Sequence, residues 1–202
     1  MEMVYDCLSD KRSAFGSNAV KIVDKHFKLT KFKNNPAAVR AYVHWALNKH
    51  GPAFWGTPIP QKEEDRVGKV PKGLFESSFI IETAAPLLKF TANAAGAYGE
   101  PVGALALVAA AVERAFKMYL SGTKVVNFQD VFSEEKIGSF VLDHLKDARK
   151  ISANAWPRIK AACGQVKGSN DRKQPPAPIL VSLEQDRGNR FIASSPPPGA
   201  ID

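Results

Sequence analysis

Apolar residues recur at intervals of three and four through most of the chain up to Gly164, a spacing that predicts α-helices. The first helix is read from Ser17, a good N-cap, to about Phe27. Val20, Val23 and Phe27 fall on one of its faces and Lys21, Lys25 and Lys28 on another. A second opens at Pro36, a residue suited to a first turn, and carries Val39, Tyr42, Val43, Ala46 and Leu47 as its apolar stripe. His50-Gly51-Pro52 ends it. A third covers about residues 76–97, with Phe79, Ile80, Thr83, Leu87, Phe90 and Ala94 in helical register and Pro86 expected to kink or divide it.

The strongest pattern runs from Pro101 to Leu120. Leu105, Ala109, Val112, Phe116 and Tyr119 form one stripe, and the first half is apolar on every side, the mark of a helix buried all round. Gly122 is its expected stop. Residues 123–128 read as briefly extended. Ser133 followed by Glu134 and Glu135 opens the next helix, whose buried face is Ile137, Phe140, Val141, His144, Leu145 and Ala148. Asn154 and Pro157 start a last one that carries Trp156, Ile159 and Cys163 and closes at Gly164.

Between the second and third helices, Gly51, Pro52, Gly56, Pro58, Pro60, Gly68, Pro71 and Gly73 are dense enough to exclude regular structure, while Phe54 and Trp55 pin the first part of this connection to the core. From about Lys167, Ser, Asn, Pro and charged residues take over, which reads as a mostly disordered tail. Within it, 179–183 and 190–193 are candidates for a small hairpin. The expected fold is all-α: about six helices in a bundle-like domain around a central apolar helix. Residues 1–16 are an N-terminal extension, 17–166 the helical domain and 167–202 a flexible Pro-rich tail.

Composition adds little to this until charge is considered. With 202 residues and 45% apolar content the chain has material for one cored domain. Of its net charge of +8, residues 9–50 hold +7, from nine Lys/Arg against Asp10 and Asp24. An anionic partner for that segment is one reading; a solvated face that keeps the chain soluble is the other. Cys7 and Cys163 are too far apart to suggest a disulfide scaffold, no Asn-x-Ser/Thr acceptor occurs, and the first thirty residues lack the order of a secretory signal. The apolar run Val102–Val112 is too short to span a bilayer. These absences point to an intracellular protein, cytoplasmic or nuclear, without a membrane partner.

No catalytic, metal or cofactor motif is present: no His-Glu-x-x-His, Cys-x-x-Cys, phosphate loop or nucleophile elbow. His26, His44, His50 and His144 have no ligand spacing among them, so core or surface roles are expected. Cys163, near a helix C-terminus, has the wrong dipole sign for an activated thiolate and is expected in the core. Glu113-Arg114 resembles a charged active-site pair, but a helix emerging into solvent is the favoured reading, since structural ion pairs are commoner than catalytic ones. Lys21, Lys25, Lys28, Lys31, Lys33 and Arg40 are the candidate phosphate contacts, with no zinc finger, basic zipper or RNA-binding signature beside them. In the tail, Arg172, Pro175 and Pro178 fit a basic-x-x-Pro-x-x-Pro ligand pattern, which Pro-rich tails also produce by chance.

One stretch carries a resemblance. Pro71-Lys72-Gly73-Leu74-Phe75-Glu76-Ser77-Ser78-Phe79-Ile80 leads through Tyr98-Gly99-Glu100-Pro101 into the helix from Gly103 to Ala115, followed by Tyr119, Gly122, Phe128 and Phe132-Ser133. This order resembles, over about residues 15–165, a helical domain of unknown function found in basidiomycete fungi. The resemblance implies an all-α intracellular domain and supplies no catalytic residues; the region before Ser17 is shorter than it implies. The leading functional expectation is a non-catalytic helical module that binds a protein partner. The alternatives are a nucleic-acid-associated protein using the basic segment 11–49 and an enzyme of unrecognised type.

Overall fold

The structure, a computed structural model, describes residues 2–91, 100–125 and 134–166, and the side chains of 13–86, 100–125 and 138–166. Six α-helices and one small sheet make up the described residues: α1 Glu2–Phe27, α2 Pro36–Ala46, β1 Trp55–Thr57, β2 Lys72–Leu74, α3 Ser78–Thr91, α4 Val102–Lys117, α5 Glu134–Ala148 and α6 Ala155–Gln165. The all-α expectation holds, with α4 at the centre.

Helix α4 packs against α1, α3 and α5, and α3 against α6. From Leu105 onward α4 is buried at almost every position; Ala106, Ala109 and Val112 are wholly enclosed. The small alanines let neighbours approach on several sides at once, while Phe116 supplies bulk at the C-terminal end. There its ring meets Phe79 at 4.9 Å and Phe27 at 6.0 Å.

Helix α1 begins at Glu2 rather than at Ser17, which lies inside the helix. The reason is the stripe Phe15, Ala19, Val23 and Phe27, a strict four-residue spacing in which every member is buried. It crosses Ser17 without a break, and the burial of Phe15 carries the helix backward. Pro86 neither divides nor ends α3; it sits exposed inside the helix. Helix α5 is shallower than its pattern suggested: of the described positions on its apolar face only Ala148 is fully buried. Gly164 does not close α6, which runs to Gln165. Cys163 and Ile159 are fully enclosed, as expected of that face.

The Gly/Pro-rich connection does contain regular structure. Its two ends pair as antiparallel three-residue strands, Trp55 opposite Leu74 and Thr57 opposite Lys72. The density of Gly and Pro excluded long elements, not a ladder this short. Phe75 N–H donates to the Phe54 carbonyl at 2.7 Å, and Ser77 Oγ donates to the Ala53 carbonyl at 2.7 Å while accepting from Ile80 N–H to cap α3. The chain turns into this unit at Gly51, where a Cβ would lie 2.1 Å from the Trp45 carbonyl oxygen, so only glycine fits. Residues 61–70, between the strands, are all exposed.

Gly122 ends the segment after α4 with φ +92°, and its α-carbon faces the Pro36 carbonyl at the start of α2. This contact brings the end of α4 against the α1–α2 corner. Residues 126–133, including Ser133, lie outside the described residues, as do the expected hairpin and the tail pattern at Arg172, Pro175 and Pro178.

Candidate functional site

The α1–α2 corner is built on aromatic rings. His26, Phe27, the short 3-10 turn Thr30–Phe32 and Tyr42 of α2 converge: His26 lies 4.6 Å from Tyr42 and 5.2 Å from Phe32, and Phe27 lies 5.2 Å from Phe32, ring centre to ring centre. Asn35 caps α2, its Oδ1 accepting from Ala38 N–H at 3.0 Å, and Pro36 fills the first turn. Three elements in succession are thus locked to one floor.

All six cations singled out in the sequence stand on the outer side of this corner. Lys21 and Lys25 on α1, Lys28 directly after it, Lys31 and Lys33 at the 3-10 turn, and Arg40 on α2 are each exposed. None has a carboxylate within ion-pair distance among the described residues. Elsewhere Lys62, Lys117, Lys124, Lys146, Lys150, Arg158 and Lys160 are each paired with an acid, while Lys49, Arg66, Lys69, Lys72 and Arg149 have no carboxylate at ion-pair distance among the described residues. Asp24, the one acid on this part of α1, turns the other way. It accepts from Tyr119 Oη at 2.7 Å and from Lys124 Nζ at 2.6 Å, fastening α1 to the end of α4. Lys31 Nζ lies 4.8 Å above the Phe32 ring, which holds one charge of the group in place.

Inside the floor, His26 Nε2 has no hydrogen-bond partner and is shut away from water. Burial, with the positive charge of Lys31 nearby, lowers the imidazole pKa to about 4. Burial alone pushes the Tyr42 hydroxyl up to about 12. The His26 shift carries a stability consequence. Its folded pKa is below the unfolded value of 6.5, so the unfolded chain binds the extra proton first. The stabilisation is fully present above pH 6.5 and is lost as the pH falls toward 4. The full linkage is about 3 kcal/mol; because the His26 side chain as a whole is half-buried, with only its Nε2 fully enclosed, about 1–2 kcal/mol is expected. Urea unfolding between pH 4 and pH 7 should therefore show a slope that flattens in His26→Phe; an equal slope in both proteins removes this account.

A second charged cluster lies between α4 and α5. Glu113 Oε2 is 2.7 Å from His144 Nε2 and Glu113 Oε1 is 2.7 Å from Lys117 Nζ. Phe54 and Phe75 pack on the imidazole at 5.0 and 6.2 Å. Burial works to raise the Glu113 carboxyl, but the hydrogen bonds and charges of His144 and Lys117 outweigh it and hold the group below the ordinary carboxylate value. A carboxylate orienting a histidine is half of an acid–base arrangement. These contacts tie α5 to α4 and, through Phe54, to the loop before β1. The sequence favoured a helix emerging into solvent at Glu113-Arg114; both residues are half-buried, and Glu113 reaches His144 and Lys117. The Lys117 contact is an i,i+4 pair, but the His144 contact spans 31 positions and no local spacing signals it.

The described residues contain no group of three or more His, Cys, Asp or Glu able to hold a metal ion, and no helix among them is long and apolar enough to cross a membrane. The family described as a domain of unknown function, DUF6532, matches residues 1–151. No curated protein and no solved structure matches the chain.

Proposed function

The chain belongs to the DUF6532 family, and on that premise we propose that it is a non-catalytic binding module whose working surface is the basic corner of α1 and α2. Its partner is the phosphate backbone of a nucleic acid. One observation carries this reading: six cations that follow one another among the basic residues of the sequence stand exposed on a single corner, with no carboxylate at ion-pair distance from any of them among the described residues. The face from Lys21 to Lys28 is about 10 Å long at 1.5 Å per residue, a length along which duplex DNA presents about six phosphate charges. The contacts are to backbone and carry no base readout. An intracellular location and a basidiomycete origin belong to the same reading; the second rests on the resemblance in the Ala/Leu helix and its flanks.

Fluorescence anisotropy of a labelled DNA duplex of arbitrary sequence tests it. With five to six phosphates engaged, log K is expected to fall against log salt with a slope of about −5, and affinity to drop by roughly a thousandfold between 50 and 200 mM salt. A slope near zero, or no binding at 50 mM salt, overturns the reading.

A protein partner is the second reading, supported by Val67 and Val70, which are 87% and 71% exposed on the segment between the strands. Apolar side chains so open on an ordered loop suit a partner's surface. Such binding would be weakly sensitive to salt and would be lost in a Val67→Asp, Val70→Asp protein.

A further inference from the structure

Beside the C-terminal end of α2 a cleft of about 150 Å³ opens between Trp45, Asn48, His50, Ile59, Pro60 and Arg66. Two hydrogen bonds build its wall: Trp45 Nε1–H donates to the Ile59 carbonyl at 2.9 Å, and Ile59 N–H donates to the His50 carbonyl at 3.0 Å. Arg66 closes one side. Its Nε donates to the Pro60 carbonyl at 3.1 Å and its Nη2 to the Gln61 carbonyl at 2.7 Å.

Those two bonds fix the guanidinium by one edge. A guanidinium has five N–H donors in a planar fork, so three remain, two of them parallel on the outer edge. Glu63, Glu64 and Asp65 precede Arg66 on the same 3-10 turn, yet none lies within ion-pair distance of it; Glu64 pairs with Lys62. This held guanidinium, with no carboxylate at ion-pair distance, lines the cleft together with Asn48 and His50, so three side chains able to donate hydrogen bonds share one small space. His50 is itself positioned, its ring set edge-on to Trp55 at 5.7 Å, and Trp55 Nε1–H donates to the Lys49 carbonyl at 2.8 Å.

We infer that this cleft is a binding site for one phosphate group, free or as the monoester of a small molecule. The volume selects the size: several waters fit in it, whereas sites for whole drug-sized ligands start at about 300 Å³. The donors select the chemistry. A tetrahedral oxyanion accepts from three directions at once, while a planar carboxylate uses the Arg fork and leaves the amide or the imidazole without a partner. The cleft adjoins the basic corner, the Trp45 ring meeting Tyr42 at 5.3 Å, but its lining residues are other ones and it does not depend on that corner binding nucleic acid.

The test is a titration of the full ¹⁵N-labelled chain with inorganic phosphate, phenyl phosphate and acetate, following the tryptophan indole N–H signals. Saturable shifts of Trp45 and Trp55 are expected with both phosphates, weaker ones with acetate, and none at Trp156, which lies in α6 away from the cleft. Arg66→Gln and Asn48→Asp should each weaken phosphate binding about tenfold or more, the loss of one charge-assisted contact. Asn48→Asp leaves the Arg66 bonds to Pro60 and Gln61 in place, so it reads the site even where Arg66→Gln disturbs the loop. Lys21→Glu, Lys25→Glu, Lys28→Glu should leave the Trp45 response unchanged. Response to inorganic phosphate alone assigns the site to the free ion, and response to both phosphates assigns it to monoesters as well. No saturable shift at Trp45, equal affinity in Asn48→Asp, or loss only in the Lys→Glu protein overturns the inference.

Discussion

Phe116→Ala is expected to lower the unfolding free energy by about 3–5 kcal/mol. The side chain is fully buried and is shared by three elements: Phe79 of α3 at 4.9 Å, Phe27 of α1 at 6.0 Å and Tyr42 of α2 at 6.3 Å. Large rings on rigid helices cannot all move inward to fill the space, so most of the cavity stays and adds to the lost transfer energy. The urea midpoint should fall with little change in slope, because the surface exposed on unfolding is nearly the same. Leu142→Ala is the control: Leu142 is 60% exposed on α5, and its change should stay within about 0.5 kcal/mol. A small effect at Phe116 would mean that the end of α4 is not enclosed by α1, α2 and α3.

The triple change Lys21→Glu, Lys25→Glu, Lys28→Glu is expected to weaken duplex DNA binding by about a hundredfold or more at 50 mM salt. Three phosphate contacts are lost and three repulsive charges take their place on one face of α1. All three side chains are exposed, so the fold should persist. A modest cost remains: an acid at Lys25, in the last turn of α1, or at Lys28 just past it opposes the helix dipole, by about 0.3–1 kcal/mol each. The neutral version, Lys→Gln at the same positions, avoids that cost and should make the salt slope shallower by about three units. Unaltered affinity in both proteins would make the basic corner a solvated surface only.

How much of this was legible in the sequence depends on how local each signal is. The α4 core was legible, since an unbroken run of Ala, Leu and Val needs no partner to declare itself. So were the six cations, because exposure follows from charge. The N-terminal half of α1 was not: before Phe15 the chain lacks a sustained apolar period, and Ser17 imitates a cap in the middle of a helix. The strands at Trp55–Thr57 and Lys72–Leu74 were hidden by the glycines and prolines around them. The pairs that hold the site together were least legible of all. Asp24 with Tyr119 and Glu113 with His144 are 95 and 31 positions apart, and nothing in local pattern joins them. The lack of acidic partners for Lys21 to Arg40, which carries the functional reading, likewise appears only once Asp24 is seen turned away toward Lys124.

The most direct measurement is a residue-by-residue amide chemical-shift map of the intact chain with a short DNA duplex at low salt. The basic-corner account predicts changes concentrated between Lys21 and Arg40, fading as salt is raised, with the amides of α4 and α6 unmoved. Changes centred on residues 61–70 or spread evenly over the surface, or no changes at all, would contradict it.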